Sequence, residues 1–168
     1  MGLHKKNILS VGITIDSKKT ILEYIQKYLH SVESAQKNPC VITTPNPEQI
    51  VLAQRQKIFA EILNRADVAL PDGVGVIWAL KRVYSISSVV RYSGVDALMD
   101  IAGLAEKERV RIGLIGGNAG LAVDALECLR QEYPRLAGWG DDLGEISADE
   151  TGALTPRITV SRVASRIR

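Results

Sequence analysis

Short apolar runs alternate along this chain with longer stretches in which apolar residues recur every three or four positions. Runs of the first kind suit buried strands and the longer stretches suit helices with one apolar face. The alternation therefore predicts an α/β fold: a Rossmann-like, mostly parallel sheet with helices on both faces. The run Ile8–Ile13 reads as the first strand. Ser17 then caps a helix that carries Ile21, Leu22, Ile25, Tyr28 and Leu29 on one side. The run Cys40–Thr43 is a second strand, with Asn46 as the next N-cap and Pro47 in the first helical turn. One helix is expected to follow through Val51, Leu52, Ile58, Phe59, Ile62 and Leu63. Val68–Leu70 is a third strand, broken at Pro71-Asp72-Gly73-Val74-Gly75 and followed by a helix through Val76, Ile77 and Leu80. Arg111–Ile115 is another strand, entering Gly116-Gly117-Asn118-Ala119-Gly120 and a helix over Leu121–Glu132.

Composition narrows the class without naming a function. The 168 residues are 46% hydrophobic and 24% charged, enough for one globular domain with its own core. The net charge of +2 is too small to announce a nucleic-acid partner, and none is expected. The apolar run near the amino terminus is too short for a signal-peptide core or a membrane span, so a cytosolic chain is expected. Cys40 and Cys128 lie far apart with no Cys-x-x-Cys spacing, and both are expected as buried, inert thiols.

Candidate chemistry gathers where the strands end. In open α/β sheets ligands bind beyond the carboxyl ends of the strands. Three clusters fall there: Thr44-Pro45-Asn46, Pro71 to Gly75, and Gly116 to Gly120. Asp72 sits on a constrained turn and reads either as a proton acceptor for a bound hydroxyl or as a helix cap. Thr44 and Asn46 read as ligand contacts or as a turn and a cap. Arg91 suits a phosphate, an ion pair with Asp96 or a place in solvent. The glycine cluster reads as a diphosphate cradle or as a tight strand-to-helix turn. Asp141 and Asp142 lie some twenty residues beyond it, where a nicotinamide enzyme places its ribose-binding acid, which keeps an NAD-type oxidoreductase open as a third reading. Asp-x-Asp, His-Glu-x-x-His and Gly-Lys-Ser/Thr motifs are all missing, so neither a metal site nor a P-loop is expected.

Taken in order, Thr44-Pro45-Asn46-Pro47-Glu48-Gln49-Ile50-Val51, Leu63-Asn64-Arg65-Ala66-Asp67 and Leu70-Pro71-Asp72-Gly73-Val74-Gly75-Val76-Ile77-Trp78-Ala79 resemble the WecG/TagA/CpsF family of bacterial glycosyltransferases. Arg91-Tyr92-Ser93-Gly94-Val95-Asp96 resembles its Arg-x-x-Gly-x-Asp element, and Ile115 to Gly120 its glycine loop. The resemblance runs from about Asn7 to Ile146. It implies an inverting transfer of N-acetylmannosamine, its uronic acid or a related hexose from a UDP-sugar to N-acetylglucosamine on undecaprenyl diphosphate, in cell-surface polysaccharide synthesis. No obligatory metal or other cofactor is implied. By the same resemblance Asp72 is the general base, Thr44, Asn46 and Gly73 hold substrate, and Arg91 faces the diphosphate. Gly116, Gly117 and Asn118 help hold UDP. A peripheral position on the cytoplasmic face of the membrane also follows from it.

Beyond Ile146 the resemblance stops. Family members continue with a Gly-x-Gly-x-Pro-x-Gln-Glu element and a basic carboxyl-terminal segment, whereas this chain ends in a divergent tail bearing Arg157, Arg162, Arg166 and Arg168. The expected organisation is a transferase domain over 1–146 and a basic tail over 147–168, with the natural reading frame lost near the boundary. A catalytically impaired UDP-sugar-binding remnant is the alternative that this departure carries.

Overall fold

The computed structural model describes residues 2–31, 38–116, 120–142, 147–148 and 154–155. Its architecture is mixed α/β, consistent with the Rossmann-like arrangement expected, and it divides into two units, Met1–Asp100 and Ile101–Arg168. Among the described residues, the strand pairs are parallel in two cases and antiparallel in two.

In the first unit the run Ile8–Ile13 is not one strand. It is split between β1, Lys5–Ile8, and β2, Val11–Thr14, an antiparallel hairpin in which Ile8 faces Val11. The chain reverses through Leu9 and Ser10, with Leu9 at a φ of 53°. Burial explains the split: every residue of β2 is buried, whereas β1 is partly exposed. One continuous strand would have carried Leu9 and Ser10, both exposed, into the same interior. Beyond the hairpin, Ser17 caps α1, Lys18–His30, by accepting a hydrogen bond from the Thr20 amide, and Ile21 and Ile25 turn inward as their spacing requires.

β3, Ile42–Thr43, pairs in parallel with β4, Val68–Ala69. The buried Thr14 Oγ1 accepts a hydrogen bond from the Ala69 amide at 3.0 Å, tying β2 to β4. The single helix expected between β3 and β4 is instead two, α2 over Pro47–Arg55 and α3 over Lys57–Arg65, broken at Gln56. At about 100° per residue, Leu63 would stand roughly 140° around an unbroken helix from Ile50. Both side chains are buried in one core with Val11, Ile13, Ala53, Val76, Leu80 and Val89, and the break at Gln56 resets the phase so that both can be. α4, Val74–Tyr84, contributes Val76 and Leu80 to that core.

Two elements lie outside those the sequence pattern predicts, the helix α5, Gly94–Glu108, and the strand β6, Gly138–Asp141. In the second unit β5, Ile112–Ile115, runs parallel to β6, and α6, Leu121–Glu132, packs on both. Gly140 permits that packing, since a Cβ there would lie 2.6 Å from the Ala122 carbonyl oxygen. β7, Ser147–Ala148, and β8, Leu154–Thr155, form a short antiparallel pair. The cysteines depart from expectation: Cys128 is exposed on α6 and Cys40 is only half-buried.

A candidate site at the carboxyl ends of β3 and β4

Because β3 and β4 are parallel, the segments that follow them emerge side by side. The Asp72 amide donates to the Pro45 carbonyl at 3.3 Å, and the Tyr92 amide donates to the Pro71 carbonyl at 3.0 Å. Three stretches distant in sequence, around Thr44, Asp72 and Arg91, are thereby joined backbone to backbone. One glycine lets them approach. Gly73 has a φ of 87°, which side-chain-bearing residues rarely adopt, and a Cβ on it would lie 3.1 Å from Pro47 Cδ. A Cβ on Gly94 would lie 3.5 Å from Thr44 Cγ2, so the start of α5 rests on Thr44.

The Asp72 side chain does not cap α4. Gly73 occupies the N-cap position without a side-chain bond, and Asp72 Oδ1 instead accepts a hydrogen bond from Arg91 Nε at 3.3 Å. Arg91 therefore pairs with Asp72 rather than Asp96. The pair is partly exposed, with side-chain exposures of 55% for Arg91 and 25% for Asp72, so it contributes at most about 1 kcal/mol to stability. Its value is geometric, since it fixes a guanidinium against a carboxylate at the mouth of the sheet.

Asn46 is a structural cap as well as a candidate contact. Its Oδ1 accepts from the Gln49 amide at 2.9 Å while Gln49 Oε1 accepts from the Asn46 amide at 3.3 Å, a reciprocal capping box that starts α2. A second box starts α5: Ser93 Oγ lies 2.5 Å from Asp96 Oδ2, and the Asp96 amide donates back to Ser93 Oγ at 3.2 Å. The Ser93 hydroxyl and amide, aided by the charges of Arg91 and Lys18, hold the Asp96 carboxyl below its usual range.

A group not singled out by the sequence motifs completes this corner. Tyr92 is buried, and its hydroxyl donates to Asp100 Oδ2 at 2.8 Å. Lys18 Nζ meets the same carboxylate oxygen at 2.7 Å and stands 5.5 Å from the centre of the Tyr92 ring. Burial first, then the bond to Asp100, raises the Tyr92 hydroxyl above its ordinary pKa. The sequence signal that points here, Ser17 before an amphipathic stretch, marks only the start of a helix.

In the second unit Gly116 has a φ of 114° and its amide donates to the Asp141 carbonyl at 3.2 Å. Gly117 and Asn118 lie outside the described residues. Asp142 accepts from the amides of Gly120 and Ala122, the latter at 3.1 Å. It thus caps α6 with a carboxylate and occupies donors that a dinucleotide diphosphate would need. That geometry speaks against the nicotinamide reading.

Comparison with known proteins agrees with the family resemblance and carries it past Ile146, where the sequence motifs end. Residues 7–164 match the glycosyl transferase WecG/TagA/CpsF family. An N-acetylglucosaminyldiphosphoundecaprenol N-acetyl-beta-D-mannosaminyltransferase of Bacillus subtilis is 29% identical over 124 residues, covering 73% of this chain and 46% of the relative. Proteins of the same name from Bacillus spizizenii and Staphylococcus aureus are 27% and 24% identical, covering 77% and 76% of this chain and 52% and 49% of theirs. The chain thus spans about half the length of the curated relatives it matches.

Proposed function

The chain belongs to the glycosyl transferase WecG/TagA/CpsF family, and from that premise we propose that it acts as an inverting glycosyltransferase, moving N-acetylmannosamine, its uronic acid or a related hexose from UDP to undecaprenyl-diphosphate-linked N-acetylglucosamine. The observation that carries this reading is the meeting of Thr44, Asp72 and Arg91 in one mouth, locked by backbone hydrogen bonds. A carboxylate at that position answers the main chemical need. As the acceptor oxygen bonds to the anomeric carbon, its proton passes to Asp72, and the bond to UDP breaks with the electron pair leaving on the diphosphate. Positioned bases of this kind contribute about 10²–10⁴-fold in rate. Thr44 and the side-chain nitrogen of Asn46, whose oxygen is committed to the cap, are assigned to the sugar hydroxyls. Gly73 keeps backbone close to the same space, and Gly116, Gly117 and Asn118 are assigned to UDP. No metal or other cofactor is required by this scheme.

Contact with the cytoplasmic face of the membrane is part of the proposal. α4 exposes Val74 and Trp78 on one side beside Lys81 and Arg82 and carries no acidic residue, a composition suited to an anionic lipid surface. Among the described residues no helix is long and apolar enough to cross a membrane.

UDP release from UDP-N-acetylmannosamine, followed with and without undecaprenyl-diphosphate-N-acetylglucosamine, tests the reading. Acceptor-dependent release that falls by about 10²–10⁴-fold in Asp72→Ala is the expected result. Release that ignores the acceptor, or survives the substitution unchanged, overturns it.

A further inference from the structure

A cavity of about 230 Å³ opens beside the Asp72–Arg91 pair, between the start of α1 and residues 88–92. Lys18 and Arg91 both line it, together with Asp16, Ser88, Pro71 and Tyr92. The space is smaller than the roughly 300–1,000 Å³ pockets that enclose a whole drug-sized ligand, so it fits one end of a substrate.

The charges around it are arranged in a consistent way. Each cation is paired with a carboxylate that does not line the cavity: Lys18 with Asp100 at 2.7 Å and Arg91 with Asp72 at 3.3 Å. Asp16, the one acid lining the cavity, is turned toward His4, with Oδ2 accepting the His4 amide at 2.5 Å and Oδ1 lying 3.0 Å from His4 Nδ1. An occupant therefore meets two carboxylate-paired cations and the Ser88 hydroxyl against an apolar wall of Ile21, Pro71 and Val90, and the cations and hydroxyl suit phosphate oxygens.

Geometry also distinguishes between the two phosphate-bearing substrates of the proposed reaction. In an inverting displacement the general base and the leaving group stand on opposite faces of the sugar ring. Arg91 is bonded directly to the candidate base, so the cavity that it lines lies on the side of the attacking hydroxyl, away from the departing nucleotide. We infer that this cavity holds the phosphate that carries the acceptor sugar, with Lys18 as the second cation beside Arg91; this inference rests on the transferase reading of Asp72.

Titration calorimetry with N-acetylglucosamine 1-phosphate and, separately, with UDP reports on the two sources of phosphate. Lys18→Gln is expected to weaken the sugar phosphate about tenfold and to leave UDP within twofold, while Lys18→Arg keeps most of the affinity. Ser88→Glu, which sets a carboxylate at an exposed position of the rim, is expected to weaken the sugar phosphate in the same way without relying on a change at Lys18. Unchanged sugar-phosphate affinity in both Lys18→Gln and Ser88→Glu overturns the inference, and so does a larger loss for UDP than for the sugar phosphate. A protein that binds the sugar phosphate through Lys18 yet transfers no sugar supports the subsite and counts against the transferase reading alone. A transferring protein whose acceptor KM ignores Lys18→Gln counts against the subsite alone.

Discussion

Gly73 and Gly75 both face Pro47, yet alanine at the two positions should fail for different reasons. At Gly75 an added Cβ would lie 2.9 Å from Pro47 Cγ, while the backbone there does not fall in the left-handed region. Overpacking of this kind costs about 1–3 kcal/mol, partly offset by up to about 1 kcal/mol of helix propensity gained over glycine. Gly75→Ala should therefore destabilise by about 0–2 kcal/mol. Removing the ring carbons with Pro47→Ala abolishes the clash, and in that background Gly75→Ala should become stabilising by about 0.5–1 kcal/mol. At Gly73 the contact is looser, 3.1 Å to Pro47 Cδ, but φ is 87° and ψ is 144°. Strain for a side chain in such a conformation is about 1–3 kcal/mol and does not depend on Pro47. Pro47→Ala should accordingly rescue Gly75→Ala and leave most of the Gly73→Ala defect in place. Urea denaturation of the single and double variants gives the two coupling energies. In thermal scans each kcal/mol should appear as a shift of about 2–4 °C for a chain of this size. A Gly75–Pro47 pair that is additive within about 0.5 kcal/mol would refute the steric account, and equal rescue of both glycines would refute the distinction between them.

Two further outcomes follow from the caps of this corner. Asn46→Ala should cost about 0.5–2 kcal/mol through loss of the α2 cap, whereas Asn46→Ser keeps most of that stability; transfer that is lost in both variants, measured against their urea stability, isolates the ligand role of the amide. Asp96 is held below its usual carboxyl value of 3.8, so the stability it supplies is present above that pH and disappears as pH falls through the lower folded value. The gap in urea stability between the wild type and Asp96→Asn should thus close below about pH 3.8, and a gap that widens on acidification would contradict the assignment.

Periodicity alone delivered α1, α4 and α6, because each has a cap or a glycine at its start and an apolar stripe that packs on one side. It failed where a run of apolar residues concealed a change of direction. Nothing local in Ile8–Ile13 says that Leu9 adopts a positive φ, which is set by the need to keep β2 wholly buried. The α2–α3 break was equally hidden, since Gln56 is an ordinary helix former and only the shared burial of Ile50 and Leu63 demands the interruption. At the site, Thr44 and Asp72 are legible as strand-end residues and Arg91 as a phosphate candidate, but the bond between Asp72 and Arg91 is not. Lys18 is not legible as a site residue, because its bond to Asp100 joins positions far apart in sequence and leaves no mark nearby.

The amide–carbonyl links that run from Pro45 to Asp72 and from Pro71 to Tyr92 make the three loops mechanically interdependent. A loop transplanted from a relative to alter sugar preference would bring its own reach and curvature, and the unmatched partners would lose their backbone bonds. Loop exchange between members of the family should therefore preserve the fold when all three segments are moved as a cassette. Deuterium uptake at the Asp72 and Tyr92 amides would report a mismatched graft before any activity was measured.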